Sequence, residues 1–445
     1  MDQPVAARRN SDLSTLLETV LLEARETYVA ARPASAALHQ RARAVLPGGN
    51  TRSVLFWTPF PTAMAGGSGC MLRDVDGHEY LDLCGEYSAG LFGHSHPAIL
   101  AAVRGALDGG LNLTGVGANE VALAALLCAR FPAMERVRFT NSGTEANLMA
   151  LTAARARTGR AGVLAFRGGY HGGVLTFPVG APVQPVNLPL PVTLADYNDG
   201  PAAAALLAAG DIGAVIVEPM LGAGGCIPAT PEFLGALRAA CDGSGAVLIF
   251  DEVMTSRHAA GGLQARLGVT PDLMTLGKYV AGGMSFGAFG GRADIMDQFD
   301  GHRPGSLPHA GTFNNNVLSM AAGLVAMGEV FSPAAAEALW ARGEVLRTRL
   351  NDAARAAGVA VTVTGAGSML TPNFRDGPID RPAPSDPIEE QRRELFFLDM
   401  LAAGIYIARR GMVALSLPVG DAEMDRFVAA FAAFCRDRAP LLQAG

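Results

Sequence analysis

Between about Glu120 and Gly290 the chain repeats one pattern: a short, wholly apolar run, a cluster of small polar residues, then a helix-length segment. The apolar runs cover 137–139, 163–166, 214–217 and 246–250, and the helical stretches include 121–131 and the Ala-rich 145–157. A strand that is apolar on both faces must be covered on both faces. Alternation with helices therefore predicts an α/β fold, a mostly parallel sheet sandwiched between helices. At 445 residues the chain exceeds what one small core can use. After about Pro333 a second unit is expected, with a helix over 334–350, a strand over 359–363, a Pro-rich stretch at 378–387 and a closing helix over 422–436. The division that follows is 1–75 as an N-terminal helix and segment joining the small domain, 76–332 as the large domain, and 333–445 as the C-terminal α+β domain. Leu13, Leu16, Leu17, Val20, Leu21 and Ala24 predict an amphipathic helix over 12–30, and Asp76-Gly77 predicts a hairpin turn.

Composition removes several function classes. The net charge of −6 gives no reason to expect nucleic acid or an anionic membrane as a partner. Six cysteines stand singly, without a CxxC pair or a Cys/His metal spacing, so free thiols are expected and a metal is not. No uninterrupted apolar run reaches membrane-spanning length. Acidic residues at Asp2, Asp12, Glu18, Glu23 and Glu26 argue against a transit peptide, and a soluble cytoplasmic protein is the expectation.

In open parallel sheets, ligands bind beyond the carboxyl ends of the strands, and four polar clusters fall there. Asn141-Ser142-Gly143-Thr144-Glu145 enters a helix, offering free N–H groups and two hydroxyls to a phosphate; taken alone, such residues are ordinary caps. Gly168-Gly169-Tyr170-His171-Gly172 allows close backbone approach and supplies a ring for a planar heterocycle, with His171 orienting a neighbour. Asp251 and Glu252 end the most apolar run, where a carboxylate is costly unless it meets a cation such as a protonated pyridine nitrogen. Lys278 stands between an apolar segment and a Gly-rich loop, a position that suits a Schiff-base amine. A lysine is ordinarily a solvated charge, so its weight comes from its place after Asp251.

Ser142-Gly143-Thr144-Glu145-Ala146, Tyr170-His171-Gly172, Asp251-Glu252-Val253-Met254, Gly277-Lys278 and Gly311-Thr312 together resemble the class III, fold-type I pyridoxal-phosphate aminotransferases. The resemblance runs from about Pro47 to the C-terminus. It is narrowest toward the glutamate-1-semialdehyde aminomutase branch and its aromatic β-amino acid aminotransferases. The resemblance implies pyridoxal 5′-phosphate on Lys278, which also shuttles the proton. It implies Asp251 on the pyridine nitrogen, Val253 and Tyr170 on opposite ring faces, and Ser142, Gly143 and Thr144 on the phosphate. Thr312 would reach the phosphate from a partner subunit, making a homodimer with shared sites, and Glu218 would be a supporting acid.

Substrate choice should follow the carboxylate grips, since a guanidinium meets a carboxylate with two parallel bonds. The resemblance assigns Arg52 to the β-amino acid carboxylate. It assigns Arg409 to the α-carboxylate of 2-oxoglutarate or pyruvate, with Arg410 adjacent and the inward-facing member of the pair open. Val54, Leu55, Phe56, Trp57 and Phe60 would wall an aromatic pocket or form plain core. The expected reaction is amino transfer from a 3-amino-3-arylpropanoate to an oxo-acid. The alternatives are glutamate-1-semialdehyde 2,1-aminomutase, which needs no external acceptor, and another omega-amino acid transaminase.

Overall fold

The computed structural model describes residues 3–180, 185–384 and 386–443. Its largest layer is a seven-stranded sheet of β1 (Arg136–Thr140), β2 (Gly162–Phe166), β3 (Val192–Ala195), β4 (Ile212–Val217), β5 (Val247–Asp251), β6 (Leu273–Gly277) and β7 (Gly287–Gly291). The spatial order is β1-β7-β6-β5-β4-β2-β3. Strands β6, β5, β4, β2 and β3 pair in parallel, while β7 runs antiparallel to both β6 and β1. Alternate residues enter separate cores. Leu164, Val215 and Leu248 pack with Phe233 on one face, and Val163, Ile216 and Ile249 pack with Ala150 and Leu151 on the other. The wholly apolar runs are thus explained by burial on both sides.

Five helices organise the rest: α1 (Gln3–Ala31), α2 (Gly143–Thr158), α3 (Pro333–Ala356), α4 (Pro387–Ala402) and α5 (Asp421–Asp437). Helix α2 lies on the large sheet, while α3, α4 and α5 build the C-terminal unit with a small sheet of Thr362–Ala366, Met369–Asn373 and Val413–Ala414. The expected strand at 359–363 begins later. Val359, Ala360 and Val361 are buried, but the Ala360 N–H bonds Leu442 O, so pairing with the next strand starts at Thr362. The stretch 378–387 is irregular up to the start of α4 at Pro387, with residue 385 outside the described residues.

The N-terminal helix packs on α4, with Leu17, Leu21 and Tyr28 buried and Arg25 2.6 Å from Glu394. The predicted hairpin forms between Met71–Asp74 and Glu79–Asp82, and Gly77 at its turn has φ 94°. Its second strand also pairs in parallel with Ile405–Tyr406, so this small sheet joins residues from either side of the expected division at 75/76 to the C-terminal unit. No single described helix is long and apolar enough to cross a membrane.

Candidate active site

The carboxyl ends of β1, β2, β5 and β6 converge, and three sequence clusters meet around Asp251. The Asp251 carboxylate is buried at the tip of β5. Asn147 Nδ2 donates to its Oδ2 at 2.7 Å and His171 Nδ1 lies 2.8 Å from the same oxygen. The Val253 N–H donates to Oδ1 at 3.1 Å. Asn147 is itself fixed, because Thr275 Oγ1 donates to its Oδ1 at 2.7 Å and its Nδ2 also reaches His171 O at 3.0 Å. Asp251 is therefore held rigidly by four elements: its own strand, helix α2, the turn after β2, and β6. Asn147 was missed from sequence, and Thr275, at the head of the Lys278 cluster, was given no role. The available signal was an asparagine, a poor helix former, in the otherwise Ala-rich α2.

Ser142 caps α2, its Oγ accepting the Glu145 N–H at 3.2 Å. The Gly143 and Thr144 N–H groups have no acceptor among the described residues, which leaves a helix N-terminus with two amides free for an anion. The cradle is close-built. A Cβ on Gly143 would lie 2.8 Å from Val253 Cγ1, and one on Gly172 would lie 2.4 Å from Thr144 Oγ1. Val253 thus seals the floor between the anion cradle and Gly277. These free amides, together with the buried carboxylate, fit a phosphorylated pyridine ring.

Lys278 follows β6 in a left-handed conformation, φ 52°, a strained backbone for a side chain of this size. It is half-buried, and desolvation lowers its ammonium pKa; Arg410 acts in the same direction, while Asp251 and Glu218 oppose. Glu218 is buried below, accepting the Tyr170 N–H at 2.8 Å and the Gly222 N–H at 2.9 Å. Burial pushes its carboxyl up to about 7, with Asp251 adding repulsion and His171 opposing. Glu218 therefore fixes the loop carrying Tyr170. Tyr170 itself is 42% exposed, its ring open to a cavity. The sequence carried a second signal at Lys278 that the motif reading passed over: it is the only lysine in the chain, and the other 34 basic residues are arginines.

The adjacent arginines, left open from sequence, have different partners. Arg409 does not face the site: its Nη2 donates to Glu394 Oε2 at 3.0 Å, the carboxylate that also holds Arg25 of α1. Arg410 faces it instead, stacked 5.3 Å over the Tyr87 ring and lining the cavity beside Tyr170. Arg52 is exposed and paired with Glu86 at 2.6 Å, and the Tyr87 hydroxyl donates to Val54 O at 2.9 Å. The turn Gly85–Ser88 thereby ties Arg52 to Arg410, and Glu86, Tyr87 and Ser88 all adopt positive φ. Of the expected aromatic wall, Leu55 and Trp57 line a cavity of about 370 Å³ with Tyr406. Val54 and Phe56 are exposed, and Phe60 is buried against Tyr28. Thr312 stands apart, lining a broad surface groove with Leu111, Leu113, Val116 and Phe313.

This constellation on this fold defines a class, and comparison with known proteins agrees. Residues 57–434 match the model of the class III aminotransferase family. The chain is 49% identical to a β-phenylalanine transaminase of Variovorax paradoxus, over 96% of this chain and 98% of that one. It is 40% identical to a glutamate-1-semialdehyde 2,1-aminomutase of Sorangium cellulosum, over 84% and 89% of the two chains. A crystal structure of a β-phenylalanine aminotransferase from Variovorax paradoxus superposes with a TM-score of 0.94 at 48% identity, covering 96% of this chain and all of that one. The chain belongs to the class III aminotransferases. It is a transaminase that depends on pyridoxal phosphate.

Proposed function

We propose that this enzyme moves the amino group of an aromatic β-amino acid, a 3-amino-3-arylpropanoate such as β-phenylalanine, to 2-oxoglutarate or pyruvate. The observation that carries this reading is the 49% identity, across nearly the whole of both chains, to a β-phenylalanine transaminase. Two guanidinium groups of the site, Arg52 and Arg410, support it, because donor and acceptor each bring a carboxylate.

Bound pyridoxal phosphate would supply an electron sink for breaking the C–H bond of the carbon that bears nitrogen. Lys278 is the amine that holds the cofactor covalently, and a chain with one lysine offers no second side-chain amine. Once displaced by substrate, Lys278 Nζ takes and returns that proton, and the lowering of its pKa by burial favours the neutral amine the step needs. Asp251 keeps the pyridine nitrogen protonated. Val253 and Tyr170 bracket the ring, and the amides and hydroxyls of Ser142, Gly143 and Thr144 hold the phosphate. Arg52 takes the donor carboxylate and Arg410 that of the acceptor.

The exposed apolar groups of Leu111, Leu113, Val116 and Phe313 around Thr312 support a homodimer, with Thr312 of the partner subunit completing the phosphate site. Six free thiols, five of them buried, support a reducing compartment, the cytoplasm.

The deciding assay supplies 3-amino-3-phenylpropanoate with 2-oxoglutarate or pyruvate, beside glutamate-1-semialdehyde alone. Formation of glutamate or alanine is expected in the first arm. Turnover of only the semialdehyde would replace this reading with the aminomutase one.

A further inference from the structure

We infer that Arg257 is a positioning residue. Buried six places beyond Asp251, it ties the left-handed turn Gly85–Ser88 and the segment after Arg410 to the cofactor strand, and so sets how the site receives substrate. The inference deepens the aminotransferase reading and rests on it for the roles of Arg52 and Arg410.

The turn is strained along its length. Gly85, Glu86, Tyr87 and Ser88 have φ of 50°, 48°, 55° and 77°. Residues with a Cβ visit this left-handed region as a rule only singly. The turn's own bonds hold it weakly: the Gly90 N–H reaches Gly85 O at 2.7 Å, but the Ala89 and Ser88 N–H groups make long contacts of 3.3 and 3.5 Å. Such a run persists only where its surroundings fix it. At its entry, Asp82 Oδ1 accepts the Cys84 and Gly85 N–H groups at 2.9 Å each, and Asp82 Oδ2 meets His94 Nε2 at 2.9 Å. At its exit stands Arg257, whose Nη1 donates to Ser88 O at 3.1 Å. Between these two anchors lie Glu86, paired with Arg52, and Tyr87, whose ring carries Arg410.

Arg257 occupies the helical turn Thr255–His258, directly after the Asp251–Met254 cluster, and has no carboxylate partner among the described residues. Burial pulls its guanidinium down to about 10. Its Nε donates to Ser368 Oγ at 2.9 Å and its Nη2 to Leu415 O, five residues beyond Arg410. A buried charge without a counter-charge is costly, and an apolar side chain of similar volume would fill the space without that cost. An apolar side chain could not, however, hold three chain segments in fixed directions, which the planar fork of a guanidinium does. Arg257 thus joins the exit of β5 to the turn beneath Arg52 and Arg410 and to the strand that follows Arg410.

The test uses the holoenzyme with Arg257→Met and Arg257→Gln, each alone and combined with Ser88→Gly, because glycine takes the left-handed conformation without a Cβ penalty. Hydrogen exchange of the peptide spanning 85–90, followed by mass spectrometry, should quicken roughly tenfold in Arg257→Met, while the peptide spanning 247–251 stays within about twofold of wild type. KM for 3-amino-3-phenylpropanoate and for its oxo-acid acceptor should rise roughly tenfold, with kcat within about threefold and the cofactor's absorption band unchanged. Adding Ser88→Gly should restore most of both KM values. A lower melting temperature with exchange at 85–90 and both KM values unchanged would make Arg257 a folding residue only and overturn the assignment. Should Arg257→Met not fold, the same readings on Arg257→Gln decide. If the wild type fails to turn over 3-amino-3-phenylpropanoate, the substrate reading falls, and exchange at 85–90 alone still decides the role of Arg257.

Discussion

Asp251 accepts hydrogen bonds from Asn147, His171 and Val253, and this crowding explains how a carboxylate survives at the tip of a buried strand: its desolvation is offset by donors that do not move. Glu218, close by, has two amide donors among the described residues, and burial raises its carboxyl from the ordinary 4.5 to about 7. Between these pH values the folded apoenzyme keeps a proton that the unfolded chain releases. Its contribution to stability is therefore full below about 4.5 and lost as pH rises through about 7. Thermal unfolding of apoenzyme across pH 4.5–7.5 should show this slope in the wild type and a flatter one in Glu218→Gln. Equal slopes would remove the assignment. Asp251, Lys278 and the Ser142 turn were legible from sequence because each sits where an apolar run stops. Which of Arg409 and Arg410 faces inward was not legible, since adjacent residues there differ only in the direction the backbone gives them. Glu394, which claims Arg409, is a contact 15 residues away in sequence.

Elements were legible where apolar runs were long enough to be buried on both faces, as in β2, β4 and β5. Strand β7 was missed because Gly-Ala-Phe-Gly-Gly lacks the branched and aromatic residues that mark a strand. Its glycines are required by close approach. A Cβ on Gly287 would lie 2.1 Å from Ser142 O and one on Gly291 2.1 Å from Asp272 O. The strand must lie that near because it closes the sheet between β6 and β1, bringing Lys278 level with the phosphate turn. Gly287→Ala is predicted to destabilise the fold by about 2 kcal/mol or more. It should also weaken cofactor retention by shifting Ser142, measured as a lower melting temperature and a higher cofactor dissociation constant. A variant with wild-type melting would contradict this packing account.

At the scale of the whole molecule, the N-terminal helix, the sheet containing Met71–Asp74, Glu79–Asp82 and Ile405–Tyr406, and the C-terminal unit share one core that extends to Leu123, Leu127 and Tyr279 beneath the site. The arginine-bearing segments of the C-terminal unit are thereby locked against the cofactor strands. The apolar groove around Thr312 lies outside that core, and Leu113→Asp should convert a two-chain mass in solution to one chain with loss of cofactor affinity; a one-chain mass for the wild type would refute the shared site. The molecule also carries a single side-chain amine, Lys278, among 35 basic residues. Whether this amine holds the cofactor is read out by borohydride reduction of the holoenzyme followed by peptide mass mapping. One pyridoxyl-phosphate adduct per chain is predicted, on the peptide containing Lys278. Absence of an adduct there, or its appearance only on the terminal amine, would contradict the account.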